Sequence, residues 1–278
     1  MSRFEQFIKH REYLMSVTEN TVRWHRCALK WLPDENPTQE QLEQMVVRMK
    51  ERGLKETGCN AVIRSVNAYL HWNSGFDGKC GSACKHPKLR SLREPTIIMP
   101  SFTEEQVRLL LKYKPKTVFR RRLHLLILVL FDTGARISEA LALHASDIDL
   151  DNMLVRLKGK GRKERLVPIS FELRKALFRF MDGKQRQVFT TSNGTVWSRI
   201  GALRAVKLHC QRLGFEPPAR TLHACRHTFA SNYVRRGGSV FHLQRQLGHS
   251  SLEMSRRYTN LRTEDLQAIH AKVSLLSA

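Results

Sequence analysis

The chain has 278 residues, and 48 lysines and arginines against 25 aspartates and glutamates give it a net charge of +23 at pH 7. Such a charge calls for an anionic partner, usually nucleic acid, and its spread along the chain disfavours a membrane-surface role. No apolar run is long enough to cross a bilayer and the N-terminus lacks the apolar segment of a signal peptide, so we expect a cytoplasmic protein with reduced cysteines.

Residues 1–75 form the first predicted unit, a small basic bundle of four short helices. Thr38 and Gln41 form a capping box that opens the third helix. Apolar residues at helical spacing mark the core faces of the third and fourth helices, at Leu42, Met45, Val46 and Met49 and at Val62, Ile63, Val66, Tyr69 and Leu70. In the second helix we assign Val22, Trp24, Cys27, Ala28 and Trp31 to the core, and Arg23, His25, Arg26 and Lys30 to a solvated face.

Residues 76–100 are rich in glycine, lysine and proline and lack periodicity, which predicts an interdomain linker. Within them, Cys80, Cys84 and His86 have a spacing that raises the question of a zinc site. A closed zinc site needs four ligands, and no fourth ligand follows nearby at a familiar spacing. We therefore predict an ordinary loop here and no metal.

Residues 101–278 form the second predicted unit, which is mainly helical. Thr103 and Gln106 cap a helix that runs to about Leu111. Two β-branched runs flank a turn rich in glycine and lysine and predict a hairpin of residues 153–157 and 165–169. The other helices are predicted at residues 119–131, 138–143, 171–181, 196–213, 222–235, 241–247 and 252–258, with an amphipathic tail helix from residue 263. The fold class is thus mainly α with a small antiparallel β-sheet.

A set of basic side chains and one phenol stands out in this second unit. His223 and Arg226 are three residues apart and share one face of a helix, whereas His249 follows a glycine that ends a helix. Tyr258 comes nine residues later. Together with Arg136 and a lysine of the hairpin turn, these residues form a cationic pocket that faces a phenol, which suits reaction at a phosphate diester.

Each residue type matches a step of that chemistry. A planar guanidinium suits the non-bridging oxygens of a phosphate, so Arg136 and Arg226 would form a clamp; the alternative for Arg136 is an ion pair with Glu139. Histidines would donate a hydrogen bond and handle the proton of the nucleophile, and a tyrosine would attack phosphorus. A lysine would protonate the leaving oxygen, and the residues alone leave Lys158, Lys160 and Lys163 as equal candidates for it.

The segments TGARISEAL, GKGRKER, H-x-x-R-H and LGH, with a tyrosine nine residues after the last, together resemble the tyrosine recombinase (phage integrase) family over residues 102–260. The resemblance implies a recombinase of the Xer or mobile-element kind. It implies the following catalytic residues, with Tyr258 as nucleophile: Arg136, Lys160, His223, Arg226, His249 and Tyr258. It also implies that Lys163 and Arg165 contact the DNA backbone.

The resemblance further implies a two-domain, C-shaped clamp around double-stranded DNA that carries specific core recombination sites. Residues 1–75 would be the helical core-binding (SAM-like) domain, residues 76–100 the linker, and residues 101–278 the catalytic domain with its tail helix. The enzyme would be a monomer or dimer when free and a homo-tetramer on DNA. It would exchange strands through a 3′-phosphotyrosine and a Holliday junction without cofactor, metal or ATP.

Two other functions remain open at this point. A type IB topoisomerase shares the pocket but relaxes supercoils as a monomer. A DNA-binding protein with an inactive pocket would retain DNA affinity without cleavage.

Overall fold

The computed structural model describes residues 1–75, 86–95, 99–159, 164–181, 186–249 and 251. The chain divides into two compact units, Met1–Ile97 and Ile98–Ala278, each with its own apolar core. Within the described residues, no helix has the length and apolar character needed to span a membrane.

The first unit is built from helices, as the sequence predicted. α1 (Arg3–Lys9) continues into a π-helical turn (His10–Leu14), and three longer helices follow: α2 (Glu19–Leu29), α3 (Gln39–Glu51) and α4 (Glu56–Asn73). The capping box of Thr38 and Gln41 is confirmed. α4 contacts α1, α2 and α3, so it is the helix around which this unit packs.

The face of α2 that packs into the core differs from the predicted one. His25 was expected on a solvated face, but it is buried and its Nδ1 lies 2.6 Å from the Ser65 hydroxyl of α4. Cys27, expected in the core, is exposed. Burial, with the charge of Arg11, lowers the pKa of His25 to about 4, so the imidazole is neutral and packs as an aromatic residue.

Residues 86–95 belong to the first unit, although the sequence suggested an open linker over residues 76–100. The side-chain amide of Asn67 bonds both the N–H and the carbonyl of Leu89, and that of Asn60 does the same for Leu92. Leu89 is buried in the core of the unit. Two asparagines of α4 thus hold an extended segment much as a neighbouring strand would. Of the three residues considered above as zinc ligands, Cys80 and Cys84 lie outside the described residues.

The second unit is organised around one long apolar helix, α6 (Val118–Thr133), which contacts α5, α7, α8, α9 and α10. The bounds of these neighbours are Glu104–Lys112 for α5, Ile137–Leu141 for α7, Phe171–Phe180 for α8, Arg199–Arg212 for α9 and Thr221–Arg235 for α10. α11 (Val240–Leu247) packs on α10. The capping box of Thr103 and Gln106 is confirmed.

The predicted hairpin is present, and a third strand extends it. β2 (Leu154–Lys158) pairs antiparallel with β3 (Glu164–Pro168), with Arg156 opposite Leu166, and the two-residue β1 (Ile148–Asp149) adds to the other edge of β2.

α9 begins three residues later than predicted, at Arg199. The predicted helix at residues 252–258 and the tail helix lie outside the described residues.

Candidate active site

The turn between α6 and α7 places the first candidate arginine. Gly134 ends α6 with a φ of +63°, and a Cβ there would come within 2.4 Å of Phe229 Cδ1. Only glycine fits both the left-handed backbone and this contact. Two residues later Arg136 caps the start of α7, where its backbone N–H donates to Glu139 Oε2 at 2.8 Å and its Nη1 donates to Glu139 Oε1 at 2.9 Å.

Glu139 is the anionic centre of the site. Its side chain is 3% exposed, and Arg165 donates one hydrogen bond to each carboxylate oxygen, at 3.0 and 2.8 Å. Burial raises the pKa of Glu139, but the hydrogen bonds from Arg165 and Arg136 and the charge of Arg165 outweigh it and hold that pKa at about 2. The carboxylate is therefore ionised at any physiological pH and fixes two guanidinium groups.

Arg226 is buried, with 7% of the residue exposed. Its Nη1 donates to the Gly134 carbonyl at 2.8 Å and its Nη2 to the Leu247 carbonyl at 2.7 Å. The guanidinium therefore links α10 to the ends of two other helices, α6 and α11, of which α6 is far away in sequence. Nη1 of Arg136 also approaches the Leu247 carbonyl, at 3.5 Å, so the two predicted clamp residues meet at one acceptor.

The C-terminus of α11 positions His249. Gly248 ends the helix with a φ of +64°, and the His249 N–H donates to the Gln244 carbonyl at 3.0 Å. Arg165 Nε donates to the Gln246 carbonyl at 2.7 Å. Three arginines thus bond the last carbonyls of this helix, where the negative end of its dipole favours cations. His249, half-buried, follows immediately.

His223 lies on the first turn of α10, with an exposed side chain, one turn before Arg226. Desolvation of the ring and the positive charges of Arg199, Arg220, Arg226 and Arg136 lower its pKa. A neutral imidazole at neutral pH is able to accept a proton. His227, which the sequence suggested is structural, is half-buried, and desolvation likewise lowers its pKa.

Two findings bear on the remaining predicted residues. Lys158 Nζ forms an ion pair of 2.8 Å with the buried carboxylate of Asp147, so this lysine already compensates a buried negative charge. The guanidinium of Arg165, 12% exposed, is bonded to Glu139 and to the Gln246 carbonyl, and its contact with the DNA backbone stays a prediction. Lys160, Lys163 and Tyr258 lie outside the described residues.

The structure therefore brings four of the six predicted catalytic residues to the ends of α6, α10 and α11. Two guanidinium groups bond one carboxylate and a third, that of Arg226, bonds the neighbouring carbonyls of Gly134 and Leu247, which leaves a net positive charge that suits a phosphate. A separate groove of about 690 Å³ between α5, α6 and α8 contains none of these side chains. The ion pair of Arg136 with Glu139, which the sequence offered as the alternative to a phosphate clamp, is present. Sequence reasoning missed the bonds of Arg165 to the same carboxylate and the charges of Arg199 and Arg220 near His223.

Comparison with known proteins identifies the family of the chain. Residues 100–265 match the family model described as the phage integrase family. The chain is 28% identical to the tyrosine recombinase XerA of Pyrococcus furiosus, over 98% of this chain and 94% of that protein. It is 27% identical to the tyrosine recombinase XerD of Vibrio cholerae, over 96% and 94% of the two chains.

Solved structures share the fold. The integrase of the Tn1549 transposon, in complex with transposon right end DNA, matches with a TM-score of 0.76 and 22% identity over 98% of each chain. The XerH site-specific recombinase bound to its difH substrate matches with a TM-score of 0.70 and 20% identity, over 97% of this chain and 84% of that one. The chain therefore belongs to the phage integrase family and is a tyrosine recombinase, an enzyme that breaks and rejoins DNA strands.

Proposed function

We propose that this enzyme is a site-specific recombinase that exchanges strands of double-stranded DNA through a covalent 3′-phosphotyrosine and a Holliday junction, within a homo-tetramer assembled on specific core sites in the cytoplasm. The observation that carries the proposal is the arginine cluster around Glu139 and the end of α11, with His223 beside it. Pre-positioned donors of this kind stabilise the charge that builds on the phosphate oxygens in the transition state.

In this proposal, Arg136 and Arg226 bind the non-bridging oxygens and His249 donates a further hydrogen bond. The phenol oxygen of Tyr258 attacks phosphorus while the bond to the 5′ oxygen breaks, and Lys160 supplies the proton that the leaving oxygen takes up. His223 accepts the phenol proton. The ion pair of Lys158 with Asp147 supports Lys160 over Lys158 as the acid. Reversal of these steps with the 5′ hydroxyl of another strand rejoins the DNA.

Arg165 has a positioning role in this scheme. Its bonds to Glu139 and to Gln246 link β3 to α7 and α11, so it fixes the carboxylate that in turn orients Arg136. Lys163 contacts the DNA backbone. The first unit acts as the core-binding domain, for which the net charge of +23 of the chain provides the electrostatic attraction.

A nicked suicide substrate tests the function. Duplexes that carry candidate core sites from the flanks of the gene are incubated with the protein without metal, and the products are separated on a denaturing gel. We expect a covalent protein–DNA adduct, which peptide mapping assigns to Tyr258. Tyr258→Phe should abolish the adduct but retain DNA binding, since it removes one hydroxyl and none of the positive charges that attract the phosphates.

Other outcomes identify the alternatives. Relaxation of supercoiled plasmids that lack any core site, by a monomer, would indicate a type IB topoisomerase. DNA binding without an adduct on a substrate of the correct sequence would indicate an inactive pocket. An adduct that maps to a residue other than Tyr258 would contradict the assignment of the nucleophile.

Arg220 provides a second test of the DNA-facing surface. It is exposed and adopts a left-handed backbone (φ +56°), which is unfavourable for a residue with a side chain, and its carbonyl accepts the His223 N–H at 2.8 Å. We expect Arg220→Gly to leave the melting temperature unchanged or higher because glycine relieves the strain. The same variant should bind DNA more weakly, with the slope of log affinity against log salt reduced by about 0.9, because one phosphate contact is lost.

Met153→Gly is the matched control, since Met153 has a similar left-handed backbone (φ +53°) in the turn between β1 and β2. It should relieve the same kind of strain without changing the salt dependence of DNA binding. An Arg220→Gly variant with wild-type salt dependence would contradict the contact to phosphate.

A further inference from the structure

α6, the central helix of the second unit, has one side that the described residues leave uncovered. From Leu123 to Phe131 it has apolar residues on nearly every side. Five of the described helices contact it, and its remaining side faces the groove of about 690 Å³ between α5, α6 and α8. A helix that is apolar all round is normally covered all round, so a further element can pack in this groove.

Two helical stripes form the walls of the groove, and their length indicates what fits there. The stripe of α6 consists of residues at helical spacing: Arg121, His124, Leu125, Leu128, Phe131 and Asp132. The stripe of α8 is of the same kind: Glu172, Leu173, Lys175, Ala176, Arg179 and Phe180. From Arg121 to Asp132 the helix rises by about 16 Å, at about 1.5 Å per residue, which accommodates about three turns of a further helix. The groove therefore has the dimensions of a binding site for a helix that lies along α6.

The floor of the groove is apolar and its rim is basic. The floor consists of buried or half-buried apolar side chains: Leu125, Leu128, Phe131, Leu173, Ala176 and Phe180. Three exposed cations of the rim lie beyond ion-pair distance of any carboxylate in the described part of the chain: Lys114, Arg121 and Arg179. An occupant with an apolar face would remove the floor from water, and carboxylates beside that face would pair with the rim.

The two carboxylates of the groove do not supply those charges, because each already has a partner. Glu172 pairs with Lys175 at 3.3 Å, and Asp132 accepts the backbone N–H of Ser170 at 2.8 Å. The positive charge of the rim is therefore left for the occupant. This charge complementarity favours an acidic helix over a neutral or basic one.

We propose that the groove between α5, α6 and α8 is a docking site for an acidic amphipathic helix of a partner protein. Apolar residues of that helix at i, i+3, i+4 and i+7 reach the floor, and its flanking carboxylates pair with the rim. The docked helix lies against Phe131 and Asp132, in the last turn of α6, which directly precedes the turn that carries Arg136. The partner thus contacts an element that positions the candidate active site without entering that site. The proposal concerns binding alone and does not depend on strand exchange.

Three labelled synthetic peptides of about fifteen residues, a length at which a helix can form, test the proposal by fluorescence anisotropy with the full chain. The first has leucines at i, i+3, i+4 and i+7 flanked by glutamates, and the second has lysines in place of the glutamates. The third has the composition of the first, with the leucines scrambled so that no apolar face forms. We expect the first to bind about tenfold more tightly than either of the others, because each of those lacks one part of the complementarity. The scrambled peptide also measures the attraction of any acidic peptide to a chain of net charge +23.

Variants of the chain locate the binding. Ala176→Trp fills the floor and should weaken binding of the first peptide by about tenfold, whereas Phe178→Ala, at an exposed position of α8 outside the groove, should not. Arg179→Glu reverses a charge of the rim and should weaken binding by about fivefold. Arg236→Glu makes the same charge change at an exposed position outside the groove and should leave the affinity unchanged.

The comparison of peptides uses the wild-type chain, so it does not depend on the folding of any variant. Equal binding of the acidic and the scrambled peptide would overturn the proposal, as would wild-type affinity in Ala176→Trp. A peptide of residues 262–278 that binds the groove more tightly than the acidic peptide would overturn it as well, because the occupant would then be a segment of this chain rather than a partner protein.

Discussion

Arg226→Lys is expected to lower the rate of strand cleavage by on the order of 10²–10³-fold, the usual loss when a fixed donor to a transition-state oxygen is removed. Two terminal nitrogens of Arg226 bond two carbonyls of different elements, at Gly134 and Leu247. A lysine has one nitrogen on a flexible stem, so it cannot bond both carbonyls and also hold a fixed position against a phosphate.

The same geometry predicts the effect on stability. In Arg226→Lys one buried carbonyl loses its partner, which costs about 1–3 kcal/mol of the free energy of unfolding. Single-turnover cleavage of a suicide substrate at saturating protein gives the rate, and thermal unfolding gives the stability. The matched control is Arg236→Lys at the exposed end of α10, which should change neither. A lysine variant that cleaves at the wild-type rate would show that Arg226 is only a structural link.

The arginine cluster also explains why the site can be assembled before DNA binds. Arg136, Arg165 and Arg226 repel one another, and Glu139 alone would leave the group strongly positive. The carbonyls of Gln246 and Leu247 add the negative end of a helix dipole to that single carboxylate. The cluster is thus held together while it keeps a net positive charge for a phosphate.

Much of the fold followed from local sequence signals. The two capping boxes, at Thr38 and Thr103, act within one helical turn, so they do not depend on the rest of the chain. The hairpin of β2 and β3 was equally local, since a glycine-rich turn and β-branched runs determine it. The starts of helices were predicted less accurately. α9 begins at Arg199 because Ser198 caps it, and this single cap is a weaker sequence signal than the apolar residues just before it.

The parts that sequence did not predict depend on distant partners. His25 is buried because Ser65 of α4 offers its Nδ1 a hydrogen-bonding partner, and periodicity of α2 alone does not reveal such a partner. Residues 86–95 were expected to be an open linker because they lack periodicity, but asparagines of α4 bond their backbone. Side-chain amides that replace a strand leave no periodic pattern to detect.

The site shows the same division. Residue types and spacing pointed to Arg136, His223, Arg226 and His249, and the structure places them near one another. The support for Lys160 over Lys158 as the acid depends on the ion pair of Lys158 with Asp147, eleven residues away along the chain. The positioning role of Arg165 depends on its bonds to Glu139 and to the end of α11. Charge partners of this kind are decided by tertiary structure rather than by motif.

Glu139→Gln is expected to destabilise the second unit by about 3–5 kcal/mol and to abolish measurable recombination. Removal of one member of a buried ion pair leaves the other charges without compensation, and here two guanidinium groups lose their shared counterion. Glutamine keeps the shape of the side chain, so the loss reports on charge rather than on packing. Arg136 then has no fixed anchor, and its contact to phosphate is lost with it.

The pH dependence of unfolding tests this role without a substrate. The pKa of Glu139 is about 2 in the folded chain against an ordinary 4.5, and this difference corresponds to about 3 kcal/mol of stability. Because the folded pKa is the lower one, that stability is fully present above about pH 5.5 and is lost as the pH falls through 4.5 towards 2. Glu139→Gln should therefore be less stable at pH 7, and the difference from wild type should shrink as the solution is acidified.

The control is Glu172→Gln, which removes a carboxylate from an exposed pair with Lys175. An exposed pair contributes at most about 1 kcal/mol, so this variant should follow the wild-type curve at every pH. Denaturant titrations at several pH values between 7 and 3 measure all three proteins. A constant difference between Glu139→Gln and wild type over this range would mean that hydrogen-bond geometry, not the carboxylate charge, holds the arginines, and the electrostatic account of the site would then be wrong.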